Sequence, residues 1–314
     1  MTTKQIYELA VALGIKADLR GSAKVKKYLA RTAKKFSSLD KKNQAKFDRE
    51  KLTNPYSDTR ILVDHGRRAV KKIMAGIDME GPELLLADHL GGFDLVISHH
   101  PRGKALADLH SVIDLQAEVL ADYGVPINVA ESLIRPRMRE VNRSVSPANH
   151  NRPLAFAELL GLDYLCTHTV ADNLGARFLF DRLEKKKPEL VADVLDLLAE
   201  IPEFQEAEKF NSGPLLFTGQ KENFCGRVAI TEFTGGTSGA KEIYEKMSQA
   251  GIGTIVGMHM DEEHRQEAEK HHINVVIAGH MASDSLGMNL FLDELEKKGI
   301  SVVPVSGLIR IKRF

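Results

Sequence analysis

The chain has 314 residues, with 43 basic and 43 acidic side chains and 43% hydrophobic residues; that length makes one large or two ordinary domains with a full core, and the balanced charge points the whole molecule at no particular partner. Two cysteines, Cys166 and Cys225, are too few for a disulfide framework and fit a reducing cytosol. No run of about 18 apolar residues offers a membrane span, and the first residues lack the apolar core of a secretory signal, so a cytoplasmic protein is expected.

Residues 5–14 have the spacing of a short amphipathic helix, with Gly14 as its expected stop. From Arg20 to Lys51 there are twelve Lys or Arg against three acids. Val25, Tyr28 and Leu29 lay an apolar stripe along that stretch at helical spacing, so residues 1–58 are expected to form a basic helical N-terminal extension. Its cations either form a solvated face that packs on its neighbour or bind nucleic acid; the lack of an interleaved aromatic platform favours the solvated face. Asn54-Pro55-Tyr56-Ser57-Asp58 then punctuates the chain.

From Thr59 the pattern becomes α/β. Residues 60–63 read as a strand, 67–75 as a helix, and Ile77-Asp78 as the start of another strand. Residues 82–90 form a helix opened by Pro82, 94–98 a strand, 109–123 a helix ending at Gly124, and 125–129 a strand. Residues 131–153 are polar and irregular in composition. Their Arg135, Arg137, Arg139 and Arg143, with His150, make either a cationic rim for an anionic substrate or an ordinary surface insert.

The next strand is 162–167, followed by helices at 173–183 and 190–198. Residues 202–219 are turn-rich and take the domain break, which divides the α/β part into a first half, 59–200, and a second half, 201–314. Residues 227–233 form a strand that enters Thr234-Gly235-Gly236-Thr237-Ser238-Gly239 before a helix at 240–250. That glycine loop is either an anion cradle or a tight strand-to-helix turn; it lacks the ending of a P-loop. Strands at 253–258 and 273–278, helices at 261–269 and 286–297, and a final pair of strands at 301–305 and 308–311 complete the chain. Pro304 favours a sheet edge.

One stretch stands out from this frame. Leu95-Val96-Ile97-Ser98 is a buried strand, and His99-His100-Pro101 falls where it stops, since Pro101 can neither donate to a ladder nor follow a helical residue easily. Strand ends are where α/β sheets bind ligands. Two further strand ends share one design: His168 followed by Asp172, and His280 followed by Asp284. Residues four apart on a helical turn share a face, so each pair can aim an imidazole and a carboxylate at one point. Together with His99 and His100, up to six ligand-type groups could converge. Mixed imidazole and carboxylate ligands suit Zn, Fe, Mn, Co or Ni, and two ions sharing a carboxylate bridge need about this many ligands and would activate a water. The alternative is a set of strand-end histidines satisfied by backbone. His259 and Glu263 have the same spacing and form a rival pair. His264, His271 and His272 read as solvated helix residues.

The segment Asp94 to Pro101, the His168-Thr169-Val170-Ala171-Asp172 motif and the Gly279-His280 motif with Asp284, in that order, resemble the NIF-three-like family (NGG-interacting-factor-three-like, also called GTP cyclohydrolase I type 2 homologues). Met74-Ala75-Gly76-Ile77-Asp78 and the glycine loop at 235–239 also resemble its pattern, and the likeness spans roughly residues 60–311. It implies an α/β fold of two related halves with mixed sheets facing a central dinuclear metal site, and ring-like homo-oligomers, often hexameric. It implies that His99, His100, Asp172, His280 and Asp284 hold two divalent transition-metal ions, with Asp284 where the family usually has glutamate. His168 is then a proton-transfer or orienting group. The function expected is a metal-dependent hydrolase acting on a nucleotide or another phosphate-containing anionic small molecule. The alternative is a non-catalytic metal-bound assembly or regulatory protein whose basic N-terminal region binds nucleic acid or a protein partner.

Overall fold

The structure is a computed structural model and describes residues 1–66 and 69–314. Its strands are β1 (Thr59–Val63), β2 (Lys72–Gly76), β3 (Leu95–Ser98), β4 (Asp163–Thr167), β5 (Leu215–Thr218), β6 (Arg227–Glu232), β7 (Ile252–Gly257), β8 (Asn274–Ile277) and β9 (Ser301–Val305). They form two mixed sheets with helices packed around them, in the orders β1-β4-β3-β2-β9 and β5-β8-β7-β6. In each sheet one outer strand runs antiparallel to its neighbour, β1 against β4 and β5 against β8, and the remaining pairs are parallel.

The four strands β5-β8-β7-β6 repeat the arrangement of β1-β4-β3-β2, and β9 has no counterpart in the second sheet. β4 runs into the helix Thr169–Lys186, and β8 runs into the helix His280–Glu296. Both strands lie beside the antiparallel edge, and both helices start at or just after the strand-end histidine. The central strands β3, β4 and β8 are buried along their whole length, as strands between helical layers must be. β9 comes from the segment 201–314 but joins the first sheet beside β2. Pro304 sits there on the sheet edge, as expected.

The helices Thr169–Lys186 and His280–Glu296 cross in close contact. A Cβ at Gly287 would lie 2.3 Å from the Ala171 carbonyl oxygen, and Gly175 faces Gly287. Small residues at the crossing let the two backbones approach, which brings the two first turns, and so Asp172 and Asp284, to one place.

The N-terminal region is helical and packs into the body. The helix Thr3–Ala17 lies along Thr169–Lys186. Thr3 Oγ1 donates to Asp163 Oδ2 at 2.5 Å, and the Tyr56 hydroxyl donates to Asp18 at 2.8 Å. Gly14 does not end this helix: it stands where Val170 is too close for any Cβ, and the helix continues to Ala17.

Several expected elements differ. Of the helix expected at 67–75, Arg67 and Arg68 lie outside the described residues, and Lys72–Gly76 is β2. Its buried Ile73-Met74-Ala75 run fits a helix or a two-sided strand equally well as a pattern, and pairing on both sides decides it. Instead of a strand at 125–129 the chain enters the helix Ile127–Val145 directly after Pro126, with Ala130, Ile134 and Val141 buried and Pro136 accommodated inside. Residues 202–219 hold the helix Pro202–Glu208 and β5, and residues 308–311 are not a strand. Among the described residues no helix is long and apolar enough to cross a membrane.

Candidate metal centre

β3 and β4 are parallel neighbours, with Ser98 level with Cys166. His99, His100 and His168 therefore leave the same edge of the sheet. After β3 the backbone stays tied to the chain beyond β2, His99 N–H donating to Gly76 O and His100 N–H to Ile77 O, each at 2.9 Å. From the second sheet, Gly279 turns the chain with φ 101, so that the helix begins at His280. A Cβ at Gly279 would meet the Ser212 carbonyl at 2.5 Å, which makes glycine the residue that fits. Asp172 and Asp284 then project from the two helical first turns.

All six residues expected at the centre come together. His99 Nε2 lies 3.4 Å from Asp172 Oδ1 and 3.4 Å from Asp284 Oδ1. On the other oxygen, Asp284 Oδ2 lies 3.3 Å from His100 Nε2 and 3.4 Å from His280 Nε2. His168 Nε2 is 3.9 Å from Asp172 Oδ2. Three overlapping triads bring their ligand atoms within 4.8 Å of one another: His99-His100-His168, His100-His280-Asp284 and His99-Asp172-Asp284.

Unmet hydrogen bonds test whether a cation fits here. His99 Nε2, Asp172 Oδ1 and both Asp284 oxygens are buried with no hydrogen-bond partner among the described residues. Asp284 is 1% exposed and Asp172 4%. A buried carboxylate with bare oxygens is among the most costly groups a fold can hold, and such charges are paired or coordinate metal. The spacing agrees. Ligand atoms on a tetrahedral ion with bonds of about 2.0–2.1 Å stand about 3.3–3.4 Å apart, which is the separation between the Asp284 oxygens and the three imidazole nitrogens. These buried His and Asp groups could hold metal ions.

Three of the four imidazoles have a partner at the far nitrogen, as metal-binding histidines usually do. His100 Nδ1 meets Asp78 Oδ1 at 2.8 Å, His168 Nδ1 meets Asp58 Oδ2 at 2.8 Å, and His99 Nδ1 faces Thr167 O at 3.3 Å. Asp58 also accepts from Thr169 Oγ1 at 2.6 Å. Asp58 and Asp78 were not among the expected site residues. No spacing rule links Asp58 to a histidine 110 residues away; Asp78 carried only its place in the family-like 74–78 pattern.

Charge follows the same geometry. Burial lowers the His100 pKa, but Asp284 and Asp78 outweigh it and push it up to about 9. Burial raises Asp172 to about 6, against the pull of His168 and His99. Asp284 is also desolvated, yet the surrounding histidines hold it well below the usual carboxylate range. Burial takes His280 down to about 4.

A small cleft opens over the centre, with a volume of about 30 Å³ and walls that include His168, Asp172, Glu232, Thr234, Thr237 and His259. That is room for a water molecule or two. The glycine loop thus forms one wall. The 131–153 arginines lie elsewhere: Arg137 and Arg143 line a separate cavity of about 680 Å³, and Arg137 Nε donates to Ser238 O at 3.1 Å. The rival pair divides. The His259 ring stands 4.8 Å from that of His280, whereas exposed Glu263 pairs with Lys241 at 2.6 Å.

Among solved structures, a NIF3 superfamily protein from Sphaerobacter thermophilus matches with a TM-score of 0.73 and 29% identity, over 80% of this chain and 92% of that one. More distant likenesses include HcgD from Methanocaldococcus jannaschii, at 15% identity over 78% of this chain and 87% of that one with a TM-score of 0.47. A Bacillus cereus protein related to NIF3 matches at 10% identity over 82% and 93%, with a TM-score of 0.40. No family model and no curated protein matches the sequence.

Proposed function

We propose that the chain, one of the NIF3-like proteins, is a dinuclear metal-dependent hydrolase acting on a nucleotide or another phosphate-containing small molecule. The observation that carries this reading is the division of Asp284. Its Oδ1 faces His99, which in turn faces Asp172; its Oδ2 faces His100 and His280. One carboxylate between two such sets could serve two ions, one that His99, Asp172 and Asp284 would hold and a second that His100, His280 and Asp284 would hold. Zn, Fe, Mn, Co and Ni all accept this donor set. When bound, the pair would supply an activated water and polarise the bond to be cleaved.

The protein's own groups do the rest. Asp58 fixes the His168 tautomer with the proton on Nδ1, leaving Nε2 to take or give a proton at the cleft. Burial lowers the His168 pKa, but Asp172 and Asp58 outweigh it and raise it above its ordinary value. The glycine loop walls the cleft and limits the water that enters. The test is elemental analysis of the purified protein joined to a hydrolysis screen of phosphate esters and nucleotides, with His168→Ala as control. The proposal expects that variant to keep its metal and lose turnover; loss of an ion would make His168 a ligand instead.

A second, non-catalytic reading rests on the Ser22–Ser37 helix. Two of its cations are paired with the neighbouring helix, Lys24 with Asp122 and Arg31 with Glu118. Lys26, Lys27, Lys34 and Lys35 have no carboxylate partner among the described residues, a face suited to the phosphates of nucleic acid. Self-association into a ring-like homo-oligomer, a hexamer in the first instance, belongs to the proposal as well. Outer strand β5 exposes Leu215 and Phe217, a surface that another chain could cover. Sizing by light scattering tests it.

A further inference from the structure

His264 is 6% exposed and both of its ring nitrogens face acceptors. Nδ1 stands 2.7 Å from Asp261 Oδ1, and Nε2 stands 3.1 Å from the Gly239 carbonyl oxygen. A neutral imidazole has one N–H and one lone pair, so it satisfies only one of these contacts and sets its lone pair against the other. The imidazolium satisfies both. Asp261 is the N-cap of the helix Glu262–Lys270, and its side chain already accepts from the His264 backbone N–H at 2.9 Å, which fixes the carboxylate in place. Gly239 closes the loop whose Thr234, Gly236 and Thr237 wall the cleft over the metal centre.

The other side-chain ties on that loop do not titrate near neutrality. The Gln116 amide donates to Thr234 O at 3.3 Å and to Thr237 O at 2.7 Å, and the Arg137 guanidinium donates to Ser238 O at 3.1 Å. We infer that His264 is a proton-operated clasp on the glycine loop: charged, it joins Gly239 to Asp261, and neutral, it lets one of them go.

The surroundings favour the charged form. Glu232, at the end of β6, lies close enough to act on His264 and also lines the cleft. The Tyr244 ring meets the imidazole edge-on at 6.0 Å, and its hydroxyl donates to Glu232 at 2.6 Å. On the open side, Arg137, Arg143 and Lys241 are outnumbered by Glu140, Glu242, Asp261, Glu262 and Glu263. Burial opposes the charge, but the Gly239 carbonyl, Asp261 and Glu232 outweigh it and raise the pKa above its ordinary value. With an acceptor at each ring nitrogen, the clasp is closed while His264 carries its charge and loosens as pH rises through that raised value. Any effect on access to the centre rests on the metal-site reading; the clasp itself does not.

The test uses the full chain with 15N-labelled histidine. Ring-nitrogen NMR reads the His264 charge, and amide hydrogen exchange, corrected for intrinsic rates, reads residues 234–239 over the same pH series. The expected result is an imidazolium at about pH 7, with loop protection falling about tenfold as it deprotonates. Asp261→Asn keeps a good N-cap but removes the charge, and should bring the midpoint down. His264→Gln should leave protection low and independent of pH. A single neutral tautomer at neutral pH, protection that ignores the titration, or an unchanged pH profile in His264→Gln would each overturn the clasp. Metal content measured on the same samples separates this outcome from failure of the metal site.

Discussion

Gly287 packs against the Ala171 carbonyl so closely that a Cβ there would lie 2.3 Å from the oxygen. The contact joins the two helices that carry Asp172 and Asp284. Gly287→Ala must therefore push them apart. Overpacking of this kind costs about 1–3 kcal/mol, so a clear fall in Tm is expected, together with loss of bound metal because the two carboxylates separate. Unchanged Tm and metal content would mean that the crossing is looser than described.

Ion uptake should release protons. In the ion-free chain Asp284 and Asp78 push His100 up to about 9 despite its burial, so it is charged at neutral pH. A metal ligand must be neutral imidazole. Calorimetric titration of ion-free protein with Zn at about pH 7.5, in buffers of different ionisation enthalpy, should give a release of about one proton from this site. The release should shrink as pH rises through about 9, because the proton has already left. No release at neutral pH would remove His100 from the ligand set.

Asp58→Asn should weaken turnover more than metal retention. The carboxylate touches His168 Nδ1 and Thr169 Oγ1, not the cluster of bare ligand atoms. Loss of such an orienting partner typically costs 10–100-fold in affinity or activity. The variant should retain its ions by elemental analysis and lose most of the hydrolytic rate found for wild type. Full activity would show that His168 needs no anchor.

Removing residues 1–18 should destabilise the centre. Gly14 touches Val170, and Asn173 Nδ2 donates to Gly14 O at 3.3 Å, so the first helix steadies the turn that bears Asp172. Lower Tm and reduced metal content are expected. A truncated protein with wild-type metal content would show that the first helix is dispensable to the site.

Much of the site was visible in the sequence because local rules suffice for it. Strand-end histidines with an acid one helical turn later state their own geometry, and His99-His100-Pro101, His168 with Asp172 and His280 with Asp284 all converge. The partners Asp58 and Asp78 were not visible, since they reach the histidines through tertiary packing with no periodic signature. The same limit explains β2. Ile73-Met74-Ala75 is apolar throughout, and only neighbours on both sides make it a strand. The arginines of 131–153 had suggestive chemistry, but the helix Ile127–Val145 carries Arg137 and Arg143 to a different cavity. The correspondence between sheets explains His259 in turn. β7 sits beside β8 as β3 sits beside β4, so the residues after both strands reach the centre.

The central claim is that Asp284 bridges two ions. Elemental analysis of purified wild type, Asp284→Ala and Asp172→Ala, each loaded with the same divalent metal and freed of excess, tests it most directly. The account predicts two ions per chain in wild type, loss of both in Asp284→Ala, and retention of the His100-His280 ion in Asp172→Ala. A single ion in wild type, or two ions in Asp284→Ala, would contradict it.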